Sequence, residues 1–192
     1  MVGGAQDETM HVWCFPERDC TVHIPGEVLA AMREAAARSK PRETGGTLVG
    51  HYSEDFREAF VTAALEANIA ARKQRARFYR PPDDEDGQLA RIYEESRGLT
   101  HYLGEWHTHP EAAPTPSPTD LSTLGGLARS RSVATDTPFM VILGGTFHTT
   151  GVASCTLAER TGRTLSGLHE RRPMSTAETP SDSAEITEKE DP

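Results

Sequence analysis

The segment Gly104-Glu-Trp-His-Thr-His-Pro110 constrains this chain more than any other stretch of its 192 residues. Tyr102–Trp106 reads as a strand, and residues two apart on a strand project from the same face. His107 and His109 therefore point one way together with Glu105, while Trp106 points the other way, toward a core. Pro110 follows directly, and Pro114, Pro116 and Pro118 stiffen the loop beyond it, which lowers the entropy lost on organising that loop. Ser117-Pro-Thr-Asp120 has the composition of a helix N-terminus, and a helix is predicted from about Thr119 to Arg129. A fold holding this segment must bring a strand end, a stiff loop and a helix start to one point.

That convergence carries a chemistry. Imidazole nitrogen bonds zinc at about 2.0–2.1 Å and ligates in its neutral form. His107, His109 and Asp120 are thus candidate ligands for one zinc ion per chain. Three protein ligands leave a fourth position for water, as in catalytic rather than closed structural sites. The cysteines offer no competing arrangement. Cys14, Cys20 and Cys155 form no Cys-x-x-Cys pair, which argues against a thiolate zinc site and against a disulfide framework.

Elsewhere, short strands are predicted over His11–Phe15 and Thr21–Ile24, with a turn at Pro16–Asp19 between them. Val28, Leu29, Met32, Ala35 and Ala36 recur at helical spacing, and that helix should stop before Pro41, which pushes its predecessor out of the α region. Thr44–Tyr52 and Ala59–Leu65 form a predicted hairpin about Ser53–Glu58. An acidic turn at Asp83–Asp86 opens a helix over Gly87–Ser96. Phe139–Leu143 and Val152–Thr156 complete the strands. Strands interleaved with helices imply an α/β (α+β) domain.

The length suits one domain with a substantial core. Its expected bounds are 10–172, between a loose leader at 1–9 and a tail at 173–192. The tail holds six acids and one lysine, a net −5 of the chain's −9. It has almost no apolar side chains to offset ordering entropy and is expected to be disordered. No basic excess favours nucleic acid. No apolar run approaches the roughly 20 residues of a membrane span, and residues 1–10 lack the features of a secretory signal. A cytoplasmic location is the resulting expectation.

The pattern resembles a known family. Glu43 precedes the glycine-bearing Thr44-Gly-Gly-Thr-Leu-Val-Gly50, and the later segment reads His107-x-His109-Pro110, then Ser117, two residues and Asp120, with seven residues between His109 and Ser117. This is similar to the signature of the JAB/MPN (JAMM) metalloproteases and covers roughly residues 10–160. The resemblance implies a curved mixed sheet wrapped on a helix, with further helices outside, related to the cytidine deaminase fold. It implies Glu43 as the base that takes a proton from zinc-activated water and delivers it to the leaving amine, and Ser117 as hydrogen-bond donor to the oxyanion. Glu105, where many members carry an apolar or aromatic residue, is a candidate partner behind the ligands.

The implied reaction is hydrolysis of the amide bond at the C-terminus of a ubiquitin-like protein or its conjugate. The chain looks most like bacterial stand-alone JAB proteins. Some of these accompany ubiquitin-activating-like conjugation enzymes in antiphage defence, and others trim sulfur carriers. A catalytically silent scaffold of the same fold is the alternative, although such proteins usually lose ligands and this chain keeps all three. A nucleobase deaminase would require a Pro-Cys-x-x-Cys segment, which the three cysteines do not form. The basic, aromatic stretch Arg72–Arg80 is either a solvated insertion or a docking edge for an acidic partner.

Overall fold

The structure, a computed structural model, describes residues 9–67, 87–131, 135, 137–145 and 152–173. The leader up to residue 8, the basic stretch Arg72–Arg80, the acidic turn Asp83–Asp86 and the tail from residue 174 lie outside them.

Among the described residues the strands are β1 (Thr9–Phe15), β2 (Cys20–Pro25), β3 (Gly45–Tyr52), β4 (Glu58–Glu66), β5 (His101–Pro110), β6 (Phe139–Gly145), β7 (Val152–Ala158), β8 (Thr164–Ser166) and β9 (Leu168–Pro173). The helices are α1 (Gly26–Ser39), α2 (Gln88–Glu95) and α3 (Pro118–Arg129). One mixed sheet runs in the order β8-β7-β6-β5-β3-β4-β2-β1-β9. Its two ends are strands joined by the single residue Gly167, so the sheet bends round until the ends approach each other. None of the helices is long and apolar enough to cross a membrane.

α1 forms where the apolar spacing predicts. Val28, Leu29, Met32, Ala35 and Ala36 are buried on one face, Glu27 suits the positive N-terminus, and Lys40 turns extended ahead of Pro41. That face packs with Trp13, Phe15, Ile24, Leu48, Leu103, Trp106, Val141 and Leu157 in one core, to which every strand from β1 to β8 contributes. The sheet thus wraps its inner face around α1. Trp106 is fully buried there, as expected, and its indole N–H donates to the Leu65 carbonyl at 3.1 Å.

The other face of β5 and β6 is covered by α3. Leu124 and Ala128 pack on Met140 and Ile142, and Leu127 on Tyr102. β5 pairs antiparallel with β3 and parallel with β6. A parallel neighbour requires a crossover, and the loop and α3 supply it. This topology is what brings the strand end and the helix start together.

Two strands carry no signal in the sequence. β8 is only three residues long, and all six residues of β9, Leu-His-Glu-Arg-Arg-Pro, are exposed. β9 is held by antiparallel pairing to β1, from Thr9↔Pro173 to Cys14↔Leu168. Its charges sit on an outer edge strand, where they oppose edge-to-edge association.

Candidate metal centre

β5 runs on through the histidines to Pro110. His107 and His109 lie on the α3 side of the sheet, level with Ile142 and Gly144 of β6. Their neighbour across β3 is Gly45, paired with His107. A Cβ at position 45 would lie 2.7 Å from the His107 Cβ and 2.3 Å from the Trp106 carbonyl oxygen. Glycine at that position therefore makes room for the His107 side chain.

At the end of β5, the Ala112 N–H donates to the His109 carbonyl at 3.3 Å, with Pro110 and Glu111 between them. Glu111 has φ 62°, the left-handed conformation that a Pro-initiated turn of type II requires at its third residue. The chain then reaches Ser117, the N-cap of α3, whose Oγ accepts the Asp120 N–H at 3.2 Å. The Asp120 carboxylate accepts the Ser117 N–H at 2.7 Å, closing a capping box. The expected cap at Ser117 is thus present, and it aims Asp120 back at the histidines.

His107 Nε2 and His109 Nε2 lie 3.1 Å apart. Asp120 Oδ1 is 3.5 Å from the first, and Oδ2 is 3.6 Å from the second. Around a tetrahedral ion with bonds of about 2.0–2.1 Å, ligand atoms sit about 3.3 Å from each other. The separations between these groups are of that size, and among the described residues His107, His109 and Asp120 are the one group of three found to fit a metal. Histidine nitrogen with a single carboxylate is also the donor chemistry of hydrolytic metal sites.

The surroundings prepare each ligand. His109 Nδ1 lies 3.2 Å from the Ala113 carbonyl, so Nδ1 carries the proton and Nε2 keeps its lone pair for a metal. Burial by itself would raise the Asp120 carboxyl. Hydrogen bonds from His107 and from the Ser117 hydroxyl and N–H, with the His107 charge, outweigh it and hold the group well below the usual carboxylate range. The three side chains retain 16%, 16% and 19% of their exposure, so the centre opens to solvent on one side.

Glu43 is exposed and lies just before β3. The next residue, Thr44, is clamped to β5. Its N–H donates to Thr108 Oγ1 at 2.9 Å, and the Thr108 N–H donates to its carbonyl at 2.9 Å. The ladder between β3 and β5 ends at Gly45↔His107, and Glu43 stands two residues ahead of that pair.

Glu105 accepts the Tyr102 hydroxyl at 3.3 Å. Burial, and then the Glu105 charge, push that hydroxyl's pKa well above its ordinary value. Tyr102 and Glu105 share a face because a register shift between Leu48 and Val49 leaves Leu103 as an extra residue in β5.

A family profile described as prokaryotic homologs of the JAB domain matches residues 25–158, most of the chain and every residue of the site. The chain belongs to the prokaryotic JAB family. As a JAB domain it has the JAB/MPN fold and is a JAMM-type metal-dependent hydrolase. It is 34% identical to the probable metalloprotease y4qB of Sinorhizobium fredii, over 65% of this chain and 76% of that one. It is 30% identical to a CD-NTase/cGAS isopeptidase of Enterobacter hormaechei, over 65% and 68% of the two chains. It is 36% identical to the desampylase of Haloferax volcanii, over 48% of this JAB chain and 62% of the relative.

The sequence pattern did not point to the residues that hold the loop 111–117 and Thr44 in place, namely Thr108, Gly144, Gly145 and Ser154. Thr108 lies inside the motif, and its position between two ligands was the available clue. The others lie far along the chain and become visible only in three dimensions.

Proposed function

We propose that this JAB domain is a zinc-dependent isopeptidase that hydrolyses the amide bond at the C-terminus of a ubiquitin-like protein or of its conjugate. The observation that carries the reading is the open cluster of His107 Nε2 and His109 Nε2, 3.1 Å apart, with the Asp120 carboxylate, whose Oδ1 lies 3.5 Å from the first and Oδ2 3.6 Å from the second. Support for the substrate class comes from relatives whose names are isopeptidase and desampylase.

Zinc held by these three residues would acidify a water molecule and polarise the substrate carbonyl. The chain's own groups do the rest. Glu43, an exposed carboxylate just ahead of β3, takes the proton as the water attacks and passes it to the leaving amine. Ser117 accepts a hydrogen bond at Oγ from the Asp120 N–H. Its own hydroxyl proton, given to the Asp120 carboxylate in the free protein, would turn to the oxyanion that forms on the carbonyl. The nucleophile is water, so no acyl-enzyme intermediate is required. An associated ubiquitin-activating-like enzyme, which would make the conjugates this site removes, belongs to the same proposal.

The test is hydrolysis of two probes by the zinc-loaded protein. In one, a ubiquitin-like C-terminus is joined to a lysine ε-amine; in the other it is joined to a linear peptide. Cleavage at the tail that stops with a chelator and returns with zinc is the expected result. No cleavage of either probe by a protein that holds zinc would contradict the assigned substrate.

A further inference from the structure

His109 can offer Nε2 to a metal only while Nδ1 keeps its proton and the ring keeps its angle. Both depend on the Ala113 carbonyl, and hence on the loop 111–117. Three consecutive carbonyls of that loop are captured. The Gly145 N–H donates to Ala112 at 2.8 Å, His109 Nδ1 donates to Ala113, and the Ser154 hydroxyl donates to Pro114. Ser154 sits on β7, paired with Ile142 of β6, 40 residues along the chain from Pro114. It lies outside the ligand motif altogether. The loop rests on Gly144, where an added Cβ would come within 2.5 Å of the Pro114 nitrogen and 2.6 Å of the Ala112 oxygen. Both are backbone atoms, so position 144 admits the loop only as glycine.

We propose that Ser154 is a positioning residue of the metal centre. By holding the Pro114 carbonyl it fixes the adjoining Ala113 carbonyl, and through it the ring of His109. The role rests on the reading of His107, His109 and Asp120 as the zinc ligands. Ser154 is partly buried on a strand whose ladder to β6 is formed by backbone groups. Losing its hydroxyl should therefore loosen the loop without unfolding the sheet. Outer partners of metal ligands commonly change affinity by about 10–100-fold when removed, and Ser154 acts at one further remove.

The experiment compares the full chain with Ser154→Ala and Ser154→Thr, the latter keeping the donor. Zinc affinity is read by competition with a chromophoric chelator, the ligand field by the visible bands of the cobalt(II)-loaded protein, and folding by the thermal midpoint of the metal-free protein. The alanine variant should bind zinc about tenfold more weakly and show altered cobalt bands, with its metal-free midpoint close to that of the parent. The threonine variant should retain the parent's affinity. Unchanged affinity and cobalt bands in the alanine variant would overturn the role. So would a threonine variant as weak as the alanine one, or a loss matched by a fall in the metal-free midpoint. If the parent itself takes up no zinc, the ligand assignment fails and this role with it. If the parent binds zinc and Ser154→Ala binds it equally well, only the positioning role is lost.

Discussion

The Ser117 oxygen caps α3. Under the proposed function its proton turns to the substrate oxyanion, so Ser117→Ala should show two separable losses. Turnover should fall by about 10²–10³, as for other single oxyanion donors. Loss of the cap should remove about 1 kcal/mol of stability, readable as a lower midpoint in denaturant. A variant with normal turnover and reduced stability would leave Ser117 only its structural role.

Asp120 is bound into the same cap, and its pH dependence has a definite sign. Its folded pKa is depressed. In the metal-free protein its contribution to stability is therefore fully present above the ordinary aspartate value of about 3.9. It is lost as pH falls on toward the folded value. Thermal midpoints of the metal-free protein across that acid range should fall more steeply than those of Asp120→Asn. Metal release is governed by other groups. Imidazole binds metal only when neutral, so zinc retention should decline below neutral pH while Asp120 is still charged.

Among the elements, β5 and α3 define the centre, and β9 closes the far edge. β9 buries none of its residues, yet it pairs with β1 from Thr9 to Cys14. A chain ending at residue 166 should therefore have a lower thermal midpoint and a greater tendency to associate through the bared β1 edge. Sedimentation of the shortened chain alongside the parent would show it.

The contrast between β9 and the metal segment explains what was legible in advance. Glu105-Trp-His-Thr-His-Pro and Ser-Pro-Thr-Asp state their strand, loop and cap locally, within sixteen residues, so their convergence could be read from spacing. α1 was equally clear from its apolar period and Pro41. β9 has no alternation because all six of its residues are exposed, and its strand character comes from β1. Ser154 and Gly144 meet the loop only because β6 and β7 run beside it, which no local pattern states. Glu105 looked like a partner of the ligands by strand alternation. The extra residue at Leu103 places Tyr102 on that face, and Tyr102 is the group that Glu105 accepts.

For the molecule as a whole, the sheet wrapped on α1 and the centre on its outer side imply that metal chemistry and folding are largely independent. Chelation should leave the core intact and lower the thermal midpoint only by the linkage term for a bound ligand. None of the candidate site residues falls in the acidic stretch from residue 174. Its removal should leave turnover on a short peptide probe unchanged, and any effect on a protein substrate should weaken with salt. A fall in turnover on the short probe would show that this stretch reaches the centre.

The central claim is that His107, His109 and Asp120 hold zinc while Glu43 moves the proton. Its most direct test is zinc content and turnover, measured on the same samples of the parent and of Glu43→Gln. The parent should carry about one zinc per chain. Glu43→Gln should carry the same amount and hydrolyse the amide probe at least about a hundredfold more slowly, the lower end of what a general base contributes. A glutamine variant that retains both its zinc and its turnover would contradict the account.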